Sequence, residues 1–353
     1  MHVWDKNKFS NTIVELIMSK HKLISRIVLI YCFFSFLACK NPNLKENASI
    51  TISADEIDQP HIFVLGIAQD GGYPQAGCKK LCCERVFNND TAKRNVVSLA
   101  IIDPESGERW IIEATPDFRE QLKMLDKHFP PKLVLSGVEG NKYGISGIFL
   151  THGHMGHYTG LMQLGREVMG TQNIPVYGMP RMCDFLKNNG PWSQLVNLKN
   201  IDLRLMKADS TIQLNSRISV TPFLVPHRDE YTETVGYIIK GPTNSVVFIP
   251  DIDKWEKWDR DIEDYIQKCN YAFLDGTFYK EGEIPGRNMK DIPHPFVQES
   301  MQRFKSLPEK EKQKIYFIHF NHTNPLINHA DTATAELIRN GFHIAKQGML
   351  IEL

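Results

Sequence analysis

Three histidines fall within six residues, His152, His154 and His157, directly after the apolar run Ile145–Leu150. A short apolar run that stops at a polar cluster reads as a buried strand ending at a site. In a strand-end loop His152 and His154, two residues apart, can face the same way. His157 then turns toward the same point from the next element. Imidazole is the commonest ligand for Zn2+ and similar ions, and three so close together are poorly suited to core packing. The chain is therefore expected to gather strand ends around metal, the alternative being a surface His-rich loop.

Composition agrees with a folded body. Of 353 residues, 42% are hydrophobic and 23% charged, enough apolar content for a core. Lys+Arg and Asp+Glu both number 41, so the net charge is zero, which excludes a strongly basic nucleic-acid binder. Apolar runs at His61–Ile67, Val96–Asp103, Trp110–Ala114, Ile218–Leu224, Thr234–Lys240, Ser245–Ile249, Tyr271–Leu274 and Ile315–Phe320 predict strands. Pro104-Glu105-Ser106-Gly107 between two of them predicts a hairpin. Helices are expected after Phe118 and at Tyr158–Leu164, Pro180–Asn188, Ile262–Lys268, Phe296–Lys305 and Ala330–Arg339. The mixture points to packed sheets with outer helices in one large α/β (α+β) domain.

The box Thr151-His152-Gly153-His154-Met155-Gly156-His157 resembles the H-x-H-x-D-H motif of the metallo-β-lactamase fold superfamily. The resemblance implies a four-layer αββα sandwich with metal at one edge between the sheets. It also implies further ligands in chain order. Val225-Pro226-His227 ahead of Thr234-Val235-Gly236-Tyr237 is similar to the third motif, and Asp251 after Ser245–Pro250 to the bridging aspartate. His319 after Ile315–Ile318 is similar to the final histidine. By this resemblance His152, His154, His227 and Asp251 hold one metal, and His157, His319 and Asp251 the other. Asp251 is preferred to Asp253 because it comes first after the strand. Gly156 stands where the family has aspartate, so the second metal is expected to lack a carboxylate and to bind more weakly or through water.

Of seven cysteines, Cys78, Cys82 and Cys83 crowd into one loop, while Cys183 and Cys269 read as core residues. A disulfide between adjacent Cys82 and Cys83 would be strained, so thiolate ligation of zinc is the natural alternative, with redox-active thiols as the other reading. His322, three residues after His319, offers a fourth ligand. This layout resembles the superfamily branch that contains PqqB, from pyrroloquinoline quinone biosynthesis, and the phosphonate-pathway cyclic phosphodiesterase, in which such a loop shares a structural zinc with a late histidine. The C-x3-C-C spacing differs from their C-x-C-x2-C. Leu65–Gln75, Glu113–Leu122, Leu274–Thr277, His319–Pro325 and Gly348–Leu353 extend the PqqB likeness over about residues 61 to 353. The PqqB box is roughly D-x-Q-x-D-H, whereas this chain keeps three histidines, which favours a working metallo-hydrolase.

Expected cofactors are one or two catalytic Zn2+ ions, with iron or manganese as alternatives, plus one structural Zn2+. Such a centre activates water against an ester, lactone or phosphodiester in a small-molecule substrate. Asp251 would hold metal and orient the nucleophile, and Asp275 would fix a ligand histidine. Asp117 and Arg119 are expected to form a helix-start ion pair, and Asn321, Thr323 and Asn324 either to face substrate or to cap the next helix. Two rivals remain: an iron-dependent oxygenase tied to quinone cofactor maturation, and a non-enzymatic small-molecule carrier.

The N-terminus carries the only strongly apolar run, Ile27–Ala38, behind Lys20, Lys22 and Arg26. It is too short for a comfortable membrane span, which takes ~20 residues. Ending in Leu37-Ala38-Cys39, it resembles a bacterial lipoprotein signal with Cys39 as the lipid-bearing residue. The layout becomes regular if translation starts at Met18; the alternative is a short membrane anchor with unmodified Cys39. The expected organisation is signal over 1–38, tether over 39–60 and catalytic domain over 61–353, lipid-anchored in the bacterial cell envelope.

Overall fold

A computed structural model describes residues 58–131, 143–328 and 332–353. The signal segment, Cys39 and nearly all of the tether lie outside these residues. Among the described residues no helix is long and apolar enough to cross a membrane.

Among the described residues, fourteen strands form two seven-stranded sheets. The first contains β1 (His61–Gly66), β2 (Ser98–Asp103), β3 (Glu108–Ile112), β4 (Gly147–Phe149), β5 (Ile174–Gly178), β6 (Ile201–Leu205) and, at its other edge, β14 (Leu350–Glu352). Its order is β14-β1-β2-β3-β4-β5-β6. The second contains β7 (Ile212–Gln213), β8 (Ser219–Leu224), β9 (Val235–Lys240), β10 (Ser245–Ile249), β11 (Tyr271–Asp275), β12 (Ile315–Ile318) and β13 (His343–Ile344), in the order β13-β12-β11-β10-β9-β8-β7.

Each sheet is antiparallel in one half and parallel in the other. In consequence β1, β3 and β4 run the same way, as do β8, β10, β11 and β12. The loops that leave the ends of these strands carry the chemistry described below.

Alternation along β1 shows the layering. Ile62 and Val64 join one core between the sheets, while Phe63 and Leu65 join a second core on the outer face. That outer core is covered by helices including Phe118–His128 and Pro180–Asn188. On the second sheet Ile262–Lys268 and Val297–Arg303 bury Ile262, Ile266, Val297 and Met301 against the strands. The result is the helix–sheet–sheet–helix sandwich. Burial of whole strands such as Val246–Ile249 at 0% exposure reflects cover on both faces, as parallel strands require.

Some elements differ from expectation. Tyr158–Leu164 is not one helix but a turn of α-helix at Met155–Tyr158 followed by a 3-10 stretch, Thr159–Leu164. Gly160 packs its backbone against Ala114, whose carbonyl accepts from the Gly160 N–H at 2.8 Å. β5, with an internal proline, and β6, with alternating polar residues, lack the apolar signal because they lie toward an edge. The cysteine loop also contains a helix, Leu81–Phe87, with Cys82 and Cys83 in its first turn.

Candidate metal centre

The strand ends bring all six sequence-predicted ligands together. His152, His154 and His157 follow β4, His227 follows β8, Asp251 follows β10 and His319 follows β12. They form two donor sets that share Asp251. In the first, His152, His154, His227 and Asp251 present ligand atoms within 4.8 Å of one another. His152 Nε2 lies 2.9 Å from His154 Nδ1, and His227 Nε2 lies 3.3 Å from the same atom. Asp251 is 3.4 Å from His152 Nε2 through Oδ2 and 3.3 Å from His227 Nε2 through Oδ1. Ligands ~2.0–2.1 Å from a tetrahedral zinc are about 3.3–3.4 Å apart, so the spacing suits one ion.

The second set is Asp70, His157, Asp251 and His319. Asp70 Oδ1 lies 3.0 Å from His157 Nε2 and 3.4 Å from His319 Nε2, and Asp251 Oδ2 is 3.7 Å from His157 Nε2. This corrects the expectation of a second site short of a carboxylate at Gly156. Asp70, from the glycine-rich loop after β1, supplies one.

The fit to metal also shows in what the donors lack. Asp251 Oδ1 and His319 Nε2 are buried with no hydrogen-bond partner. Buried polar atoms are normally satisfied, and ligand atoms of an ion site are an exception. The opposite edges of the rings, by contrast, are mostly engaged. His157 Nδ1 lies 3.0 Å from Glu113 Oε2 and donates to it, which turns Nε2 toward the centre. Thr277 Oγ1 donates to Asp275 Oδ1 at 2.6 Å and so accepts from His319 Nδ1 at 2.8 Å. Thr151 Oγ1 pairs with His152 Nδ1 at 2.9 Å, and Glu230 Oε2 lies 3.3 Å from His154 Nε2. His227 Nδ1 has no such partner.

Asp275 thus acts on His319 through Thr277 and does not itself join the two sets around Asp251. It also holds His294 directly, Oδ2 to Nδ1 at 2.8 Å, and His294 Nδ1 is 3.2 Å from Asp251 Oδ1. Together Asp251, Asp275, His294 and His319 form a third cluster of possible ligands. Backbone strain marks the same place. Glu113 and His319 have φ of 76° and 67°, left-handed values that cost a non-glycine residue ~1–3 kcal/mol unless the surroundings enforce them.

Electrostatics divide the imidazoles. Burial, with the neighbouring His157 charge, holds His152 well below the usual histidine range, and burial depresses His227 to about 4. Burial alone would also lower His157, but Glu113 and Asp70 raise it well above. In His294 burial is likewise overcome by Asp275 and Asp251, which lift it to about 9. Burial pushes Asp70 and Asp251 upward, yet the surrounding imidazoles hold both carboxyls well below their ordinary range.

Three functional residues were not singled out from sequence: Asp70, Glu113 and His294. Asp70 and Glu113 lie in segments that carried the PqqB resemblance. His294 sits alone between Pro293 and Pro295 with no patterning signal. Asp253 accepts from Lys257 Nζ at 2.8 Å and is not in the donor sets. The expected Asp117–Arg119 pair does not form. Arg119 pairs with Glu120, and Asp117 Oδ2 accepts the Val96 N–H at 2.8 Å. Asn324 caps the 3-10 turn Pro325–Asn328, its Oδ1 accepting from Leu326 N at 2.9 Å.

A separate cluster joins Cys78, Cys82, Cys83 and His322, with ligand atoms within 4.8 Å of one another. Cys78 Sγ and Cys82 Sγ are 3.7 Å apart, far beyond a disulfide and close to the ~3.75 Å spacing of thiolates on a tetrahedral zinc. Without a cation, burial pushes the Cys83 thiol up to about 12. A coordinating metal reverses that by deprotonating the thiol.

Beside His227 a cleft of about 380 Å3 opens between Val225, Asp229, Glu233, Lys257 and Trp258. Its size falls in the range of small-molecule sites.

The family model described as the beta-lactamase superfamily domain matches residues 108–320. Coenzyme PQQ synthesis protein B of Xanthomonas axonopodis pv. citri (strain 306) is 25% identical over 316 residues, covering 83% of this chain and 99% of its own. The protein of the same name from Methylorubrum extorquens (strain PA1) is 24% identical over 313 residues, 83% of this chain and 100% of its own. Among solved structures, Zn2+-bound PqqB from Methylobacterium extorquens superposes with a TM-score of 0.69 at 20% identity, covering 83% of this chain and 100% of its own. A diphosphatase from the PhnP family gives 0.58 at 21% identity, covering 84% and 97%. At these identities the structural likeness is one of fold.

Proposed function

The chain belongs to the β-lactamase superfamily, and from that premise we propose that it is a metal-dependent hydrolase of a small-molecule phosphodiester, diphosphate, ester or lactone. The observation that carries the reading is the meeting of two four-donor sets at Asp251. Divalent ions held there would supply Lewis-acid polarisation and an activated water. The first would be held by His152, His154, His227 and Asp251, the second by Asp70, His157, His319 and Asp251. Cys78, Cys82, Cys83 and His322 would hold a structural Zn2+.

The chain's own groups supply orientation and proton transfer. Asp251 aims Oδ2 between His152 and His157, so one carboxylate serves both sets. Glu113 and Thr277 fix ring orientation, turning Nε2 of His157 and His319 toward the centre. His294, whose Nδ1 donates to Asp275 Oδ2 at 2.8 Å and lies 3.2 Å from Asp251 Oδ1, is placed beside the centre to pass a proton to a leaving oxygen. The cleft beside His227 gives a compact substrate room, and the balanced charge of the chain disfavours a polynucleotide.

Support for hydrolysis of a diphosphate-like substrate comes from the PhnP-family diphosphatase with the same fold. A second reading rests on the relatives named coenzyme PQQ synthesis protein B, matched over 83% of this chain. In it the protein serves formation or handling of that coenzyme, either by iron-dependent oxygen chemistry or as a carrier. The lipoprotein-like segment ending at Cys39 adds to the proposal a lipid-anchored location in the bacterial envelope.

The test is a turnover screen of the full, Zn2+-loaded chain with an aryl phosphodiester, a nucleoside diphosphate ester and an aliphatic lactone. Turnover that Asp251→Asn abolishes is expected. A fully metallated protein inactive on every class would overturn hydrolysis, and consumption of dioxygen by the iron-loaded chain would favour the second reading.

A further inference from the structure

The superfamily box that the histidine cluster resembles takes its carboxylate from the position occupied here by Gly156. In this structure a carboxylate nevertheless stands beside His157 and His319, brought by the loop that follows β1. The two facts are linked by space. A Cβ built on Gly156 would lie 2.5 Å from Asp70 Cα and 2.6 Å from both Asp70 Cβ and Cγ. Such distances exclude any side chain at 156 while Asp70 keeps its place.

Backbone contacts hold the Asp70 loop in this position. Ala68 bridges both Val96 and Phe320, tying the end of β1 to the residue after His319. Gln69 N donates to Phe320 O at 2.8 Å, Phe320 N donates to Ile67 O at 2.8 Å, and Gly72 N closes the turn on Gln69 O at 2.8 Å. Asp70 is therefore held against the same strand end that carries His319, and its Oδ1 lies within 3.4 Å of the two histidines of its set.

We infer that Asp70 is a transplanted ligand of the second ion and that Gly156 is the vacancy it requires, so that the two positions act as one exchange. The glycine in the box is then not a degraded ligand but the partner of a new one. This rests on the metal-centre reading above and adds to it the origin of the fourth donor.

The experiment counts ions. The full chain is loaded with Zn2+, exchanged into metal-free buffer and analysed for zinc per chain, with affinities from chelator competition. Wild type is expected to hold two ions in the histidine centre and one at the cysteines. Asp70→Asn should lose one ion, or bind it at least ~100-fold more weakly, and keep the other two. Gly156→Ala adds no charge and no donor, yet should lose the same ion by displacing Asp70. The double variant should be no worse than either single, because both act on one contact. Retention of the cysteine-held zinc reports that each variant has folded.

The inference is overturned if either single variant keeps all three ions with affinities within ~3-fold of wild type, or if the two losses add. It is also overturned if wild type holds a single ion in the histidine centre, although the hydrolase reading then survives. Wild type with no ion in that centre sinks both.

Discussion

Glu113 holds His157 from behind the metal centre: Oε2 lies 3.0 Å from Nδ1 with both side chains fully buried. Its other oxygen, Oε1, accepts the Thr151 N–H at 3.0 Å, so one carboxylate positions both His157 and the start of the histidine box. Glu113→Gln keeps the size and removes the charge. Affinity for the second ion should fall ~10–100-fold, with the first ion much less affected. Chelator competition measures both, and unchanged affinities would mean that Glu113 only packs.

The cysteine cluster should be structural. Tyr73 OH donates to Cys82 O and accepts from Asn328 Nδ2, both at 2.6 Å, and an ion held by the cysteines and His322 would tie the same loop after β1 to the segment after β12. Cys83→Ser should remove one zinc, leave the histidine-held ions in place and lower Tm by roughly 5–10 °C, the equivalent of a few kcal/mol in a chain of this size. Differential scanning calorimetry with zinc analysis checks it. Loss of turnover at unchanged Tm would point instead to a reactive thiol.

Acid stability should depend on a pair far from the centre. Asp103, buried, receives the Arg217 Nη2 at 2.5 Å and Asn215 Nδ2 at 2.8 Å. Burial pushes its carboxyl up, but Arg217 holds it below the ordinary range. A carboxyl depressed on folding contributes stability above its unfolded value of about 3.9, and loses it as pH falls through the folded value. Asp103→Asn should therefore cost ~1–3 kcal/mol near pH 7, with the gap to wild type closing below about pH 4. A gap that widened on acidification would contradict the assignment.

What the sequence made legible is local. The box after β4 was readable because its three histidines lie within six residues of sequence, and His227, Asp251 and His319 because each follows an apolar run. The parallel halves place those runs side by side, so their ends converge. Asp70 and Glu113 were not legible as site residues because their roles depend on pairing between β1, β3 and the far sheet. Gly156 misled for the same reason: a glycine reads as a missing ligand until the neighbour that fills its space is seen. His294 has no sequence neighbour of its kind. It reaches Asp275 only because the loop between β11 and Val297–Arg303 folds back over the strand ends. In the first sheet, β6 carries no clear apolar signal because an edge strand tolerates polar residues such as Asp202 and Arg204 between its apolar ones.

The central claim is a centre of two ions joined by Asp251. Its most direct test is metal content per chain for the Zn2+-loaded full protein and for Asp251→Asn, read beside turnover of an aryl phosphodiester. The account expects the histidine-held ions and the turnover to fall together in the variant while the cysteine-held zinc stays. An Asp251→Asn protein that keeps every ion, or a wild type whose only zinc is the one at the cysteines, would contradict it.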